Sequence, residues 1–160
     1  MAQQNLVSLF LIAAILLCCQ AHASDVCDKA EYVDLCKSVV KGATDPKAAI
    51  KTSLEFLLSE TQRLKASSEK FKNSQFIDVC TENYDSAIDD LNNSLKNLQS
   101  NDIASLQITL SGSLSFYETC NDAVAEGGKG VVKVASKLVK KDNKLKHIAA
   151  NALHFATLLK

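Results

Sequence analysis

Six cysteines, three histidines and two clusters of charge are the side chains of this sequence with chemistry to offer. Cys27 and Cys36 enclose the eight residues of CDKAEYVDLC. That spacing is too wide for a Cys-x-x-Cys redox pair and unlike a zinc clip. His147 and His154 fall seven residues apart, on one face of a helix if the segment is helical. With a serine and an aspartate they could enter a hydrolytic triad. No Gly-x-Ser-x-Gly nucleophile setting accompanies them, so they read as ordinary histidines at a helix surface or boundary. Gly127-Gly128-Lys129-Gly130 has glycines suited to a phosphate loop but lacks the Gly-x4-Gly-Lys-Ser/Thr pattern. It reads as a helix terminator. Neither a metal, nor a cofactor, nor an enzymatic activity is expected.

The cysteines acquire meaning from their compartment. Residues 5–19 form an uncharged apolar run followed by Gln20-Ala21-His22-Ala23. A run of that length is short for a membrane span, and Ala-x-Ala is the pattern cut by signal peptidase. The expectation is a signal peptide over 1–23, removed with Cys18 and Cys19, and a secreted domain over 24–160. Cys27, Cys36, Cys80 and Cys120 remain, an even count that reads as disulfides in an oxidising compartment. Eighteen basic residues balance eighteen acidic ones, so no global charge points to nucleic acid.

Helices must position these groups. Asp45-Pro46 has the form of an N-cap followed by proline at the first helical position. From there Ile50, Leu54, Leu57, Leu58, Thr61 and Leu64 recur at helical spacing, predicting one helix over about 46–67. Ile77, Cys80, Tyr84, Ile88, Leu91, Leu95 and Leu98 form a second set, closed by the polar stretch Gln99-Ser100-Asn101-Asp102. Ile103, Leu106, Leu110, Leu114, Tyr117, Cys120 and Val124 form a third, ended by the glycines. Val131, Val134, Leu138, Leu145, Ile148, Ala152, Phe155 and Leu159 form the last, with Asp142-Asn143 expected to break it or lie on its wet face. Four amphipathic segments with short connections predict an all-α, up-and-down four-helix bundle.

The bundle tests the cysteines. If the two middle helices fold back at Ser100, residues level with each other have numbers adding to about 201. Leu98 with Ile103, Leu91 with Leu110 and Tyr84 with Tyr117 obey this, and so does Cys80 with Cys120. Packed helix axes lie about 8–10 Å apart, close enough for inward cysteines to bridge. Elimination leaves Cys27 with Cys36. On a straight helix those two would point to opposite sides, about 13.5 Å apart along the axis. The chain must therefore double back near Glu31 to Val33 into an N-terminal helical hairpin stapled by the disulfide. The residues leave open whether that hairpin packs on its own bundle.

With these pieces in order, the chain resembles the plant invertase and pectin methylesterase inhibitors across nearly all of residues 24–160. Val79-Cys80-Thr81-Glu82-Asn83-Tyr84-Asp85-Ser86-Ala87 is similar to the family's Cys-x-Glu-x-Tyr-x-x-Ala. Ser111 to Asp122, SGSLSFYETCND, resembles its Ser-Ala-Ala-Leu…Thr-Cys-x-Asp element, and Ala150-Asn151-Ala152-Leu153 its Ser-Asn-Ala-Leu. Ala30-Glu31-Tyr32-Val33 stands where the family usually has Thr-x-Tyr/Phe-Pro, and Gly112-Ser113 replaces small apolar residues. The resemblance implies a four-helix bundle with a helical hairpin and disulfides joining first to second and third to fourth cysteine.

It also implies a secreted, apoplastic inhibitor that binds its target enzyme one to one through the middle helices. Asn101-Asp102-Ile103-Ala104-Ser105 lacks the Asp-Pro-Lys-Phe of many invertase-directed members, so pectin methylesterase is the expected target and acid invertase the alternative. Glu82, Asp85 and Asp89, within the acidic group Asp78 to Asp90, and Ser111 and Ser115 on the next helix are the expected contacts. Lys133, Lys137, Lys140 and Lys144, in a stripe from Lys129 to Lys146, could instead hold anionic pectin, in which case the protein would be a non-inhibitory pectin-binding bundle. Both charged stretches also read as solvated helix faces. Asn92-Asn93-Ser94 is a candidate glycosylation site.

Overall fold

The computed structural model of the protein describes residues 25–71 and 74–159. The expected signal peptide over 1–23 lies outside them. A 3-10 helical turn, Val26–Lys29, precedes five helices: α1 (Val33–Val40), α2 (Pro46–Ser68), α3 (Gln75–Ser100), α4 (Ile103–Glu126) and α5 (Gly128–Thr157).

Local chemistry sets the ends of these elements. The Asp45 carboxylate accepts the Lys47 and Ala48 N–H groups at 3.3 and 3.0 Å, and Pro46 opens α2 where no N–H is needed. Asn101 ends α3 in the left-handed region with φ 59°. Asp102 then caps α4 by accepting the Ser105 N–H at 3.1 Å, which holds its carboxyl below the ordinary range. Gly128, with φ 74°, turns α4 into α5, a conformation that glycine adopts without a Cβ penalty.

The four long helices form a square. Each packs on its sequence neighbours, α5 closes against α2, and the diagonal pairs barely meet. α3 and α4 have the most extensive contact, and Cys80 and Cys120 bridge them with Cα atoms 4.4 Å apart. Leu54, Leu57, Tyr84, Leu91, Leu110, Tyr117 and Phe155, from all four helices, are fully enclosed at the centre. Burying such side chains contributes about 1.5–3 kcal/mol each, which is what makes the stripe spacing decisive.

The N-terminal segment doubles back as expected. The 3-10 turn stops at Ala30 in extended backbone, and Tyr32 opens α1. Cys27 and Cys36 are bridged with Cα atoms 5.6 Å apart. This hairpin packs on its own bundle, against α2 and α5.

Two expectations for α5 are corrected. Asp142-Asn143 does not break the helix, and Asp142 does not face water: α5 is continuous, Asp142 is completely buried and Asn143 half-buried. Val134 is 61% exposed, whereas Ala135 is enclosed. The inward stripe runs through Ala135, Leu138, Asp142 and Leu145, so helical phase decided against side-chain type at both positions.

Candidate partner-binding face

On α3 the period that buries Cys80, Tyr84, Ala87 and Leu91 leaves Glu82, Asp85 and Asp89 on the outer side, all exposed. They do not act as one group. Asp85 forms an ion pair with Lys65 of α2 at 2.6 Å, so its carboxylate leans away from α4. Asp90 leans the other way, into the seam with α4. A Cβ on Gly112 would collide with the Asp90 Oδ2, so the glycine makes the notch that receives this carboxyl. Partial burial, and then the charge of Asp89, raise the Asp90 pKa.

On α4, Ser111 and Ser115 are exposed. The Ser115 hydroxyl donates to the Ser111 carbonyl at 3.1 Å, and Thr119 donates to the Ser115 carbonyl at 2.9 Å. Ile108, 72% exposed, extends the same outer row. The structure therefore brings Glu82, Asp89, Ser111 and Ser115 onto outward surfaces of neighbouring helices, with Asp85 shared with α2. Such a surface offers a partner carboxylates, hydroxyls and one apolar anchor on rigid elements. Sequence reasoning missed Ile108 and the Gly112 notch. The signal for Ile108 was present: it falls between Leu106 and Leu110, off the apolar stripe.

Asn151, in the segment similar to Ser-Asn-Ala-Leu, is a structural clip. Its Oδ1 accepts the Tyr32 N–H at 3.1 Å and its Nδ2 donates to the Tyr32 carbonyl at 3.0 Å. The Tyr32 ring stacks on His147, centroids 3.9 Å apart and planes within 8°. Burial, aided by the charge of Lys146, lowers the His147 pKa. His154 is half-buried, and its Nε2 has no partner among the described residues. Among those residues no group of three His, Cys, Asp or Glu side chains could hold a metal.

Asp142 lies in a polar pocket inside the bundle. Among the described residues neither carboxyl oxygen meets a hydrogen-bond partner, and burial pushes the group up to about 7. Tyr84, Asn121 and the charge of Lys146 temper that shift without reversing it. The Tyr84 hydroxyl also meets the Cys120 sulfur at 3.1 Å, and Tyr117 is hydrogen-bonded to Thr61. Helices α2, α3 and α4 thus each bring a polar group towards the centre that Asp142 enters from α5.

Lys133, Lys137, Lys140 and Lys144 are exposed along α5. Asn92 is half-buried, and the hydroxyl of Ser94, the last residue of its sequon, is committed to Thr109 at 2.7 Å.

The architecture defines a disulfide-braced helical bundle with a clipped N-terminal hairpin. The family model described as plant invertase/pectin methylesterase inhibitor matches residues 22–155, and the chain belongs to that family. Two crystal structures share the fold. One is a mutant form of a pectin methylesterase inhibitor from Arabidopsis, at TM-score 0.75 and 21% identity, covering 88% of this chain and 99% of that one. The other is a pectin methylesterase inhibitor from Arabidopsis thaliana, at TM-score 0.67 and 20% identity, covering 89% and 98%. A curated relative, pectinesterase 3 from Phaseolus vulgaris, is 31% identical over 124 residues, covering 66% of this chain. The chain spans only 21% of that relative's length.

Proposed function

We propose that this protein is a secreted inhibitor of a plant pectin methylesterase. It binds the enzyme one to one through the outer faces of α3 and α4 and covers the enzyme's pectin cleft. Membership of the inhibitor family over residues 22–155 carries this reading. The likeness of this bundle to part of a protein named a pectinesterase supports the choice of enzyme class, as does Asn101-Asp102-Ile103-Ala104-Ser105 at the opening of α4. The reading gives the protein no catalytic role of its own.

Glu82, Asp89, Ser111 and Ser115 are the proposed contacts, with Ile108 as the apolar anchor. Two disulfides hold the helices and hairpin in place before binding, which reduces the ordering cost of association. They also fit an oxidising destination, and the reading includes removal of residues 1–23 on the way to the apoplast.

The test is a titration of the purified protein against a plant pectin methylesterase and an acid invertase, with polygalacturonate sedimentation alongside. Pectin methylesterase activity should fall linearly to its floor near equimolar inhibitor. Saturating inhibition of the invertase alone would move the assignment to the other branch of the family. Sedimentation with pectin and no inhibition of either enzyme would reject both.

A further inference from the structure

The α2–α5 edge of the square lies across the bundle from the α3–α4 face and has its own concavity. A cavity of about 280 Å³ is lined by Leu64, Phe71 and Leu138, with Ser67, Lys70, Lys137 and Lys141 around it. A second, of about 140 Å³, shares Leu64 and Lys141 and continues past Phe56, Lys144 and Leu145. Together they make one slot with an apolar floor. Between Leu138 and Leu145 it runs roughly 10 Å along α5, at 1.5 Å per helical residue.

The rim has one sign. Lys70, Lys137, Lys141 and Lys144 are all exposed, and none has an ion pair among the described residues. The one carboxylate of the lining, Glu60, is paired with Arg63. Lys144 stands over the Phe56 ring with its ammonium 5.7 Å from the centroid, placing a cation above the apolar end of the slot. Lys133 and Lys140, on the same helix, do not line the slot.

We propose that the α2–α5 slot binds a single anionic amphiphile of fatty-acid type, its hydrocarbon chain on the Phe56–Leu64–Leu138 floor and its carboxylate among the lysines. Two features select this occupant. The leucine and phenylalanine floor offers no hydrogen-bond partner to a hydroxyl-rich polysaccharide but favours methylenes. Four cations against one carboxylate, Glu60, already paired with Arg63, favour a charged head group over a neutral one. A concave slot between two helices takes one chain, whereas a membrane surface calls for a convex apolar face. Because slot and α3–α4 face lie on opposite edges, occupancy of one leaves the other open, and the proposal stands or falls apart from enzyme inhibition.

The experiment is calorimetric titration of the protein with laurate below its micelle concentration, with acetate and polygalacturonate as comparison ligands. Laurate should bind one to one and at least tenfold more tightly than acetate. Ser67→Phe fills the slot from a half-buried position in its lining and keeps every lysine; it should weaken laurate at least tenfold. The pair Lys137→Glu and Lys141→Glu should weaken laurate similarly while leaving the melting temperature unchanged. Laurate binding no tighter than acetate would overturn the proposal, as would undiminished laurate binding by the Ser67→Phe protein. Polygalacturonate bound in place of laurate would also overturn it, by showing that the lysines serve a polyanion without the floor.

Discussion

Burying the Asp142 carboxyl couples folding to pH. In the unfolded chain the group titrates near 3.8, and in the bundle near 7. Between those values the unfolded chain has released a proton that the folded protein still holds, so stability falls as pH rises. The slope is at most about 1.4 kcal/mol per pH unit. Asp142→Asn keeps the shape and removes the titration. Between pH 4.5 and 7 the melting temperature of the native protein should drop on the order of 5–10 °C further than that of the variant. Equal drops in calorimetry would show that Asp142 is solvated in the folded protein. Asn151 acts by geometry rather than charge. Asn151→Ala would strip both hydrogen bonds from the Tyr32 backbone, at a cost of about 2 kcal/mol. Amide exchange should then quicken in Val26–Val40 before it quickens in α3 or α4. Uniform quickening would mean that the hairpin and bundle open as one unit.

At the scale of elements, the α3–α4 hairpin is the organising unit. It combines a left-handed Asn101, an Asp102 cap, a disulfide spanning 40 residues and the most extensive helix contact. In the chain-entropy account a loop of that length is worth about 4 kcal/mol, and the nine-residue separation of Cys27 and Cys36 about 2.7 kcal/mol. Replacing Cys80 and Cys120 together by alanine should therefore destabilise the bundle more than replacing Cys27 and Cys36. Denaturant midpoints would rank the two, and the reverse order would place the dominant constraint in the hairpin. Most of this unit was legible in advance. Apolar spacing gave the helices, polar residues gave the turn, and the pairing arithmetic aligned the cysteines. The Gly112 notch was not legible, because nothing within α4 says which residue of α3 will face that glycine.

For the whole molecule, the square arrangement separates two surfaces. The outer faces of α3 and α4 carry carboxylates, hydroxyls and Ile108, while the α2–α5 edge carries lysines over an apolar slot. If the first is the enzyme-binding face, Ser115→Arg should weaken inhibition at least tenfold with no change in melting temperature, since Ser115 is exposed and its hydroxyl donates within its own helix, to the Ser111 carbonyl. Ser67→Phe, on the opposite edge, should inhibit like the native protein. Inhibition lost in the second variant and kept in the first would relocate the interface to α2 and α5.

The sequence by itself determined the number of long helices, the turns at 99–102 and 127–130, the disulfide pairing and the family, because caps and periodicity are local and antiparallel pairing follows simple arithmetic. Only the tertiary structure decided that Asp142 is enclosed, that Asn151 clips the hairpin to α5, and that Phe56, Leu64 and Leu138 floor a slot beneath lysines. Each depends on which residues of distant segments meet across a helix seam. A linear pattern can assign a residue to a face, but the neighbour on the other side sets its solvation and its partners.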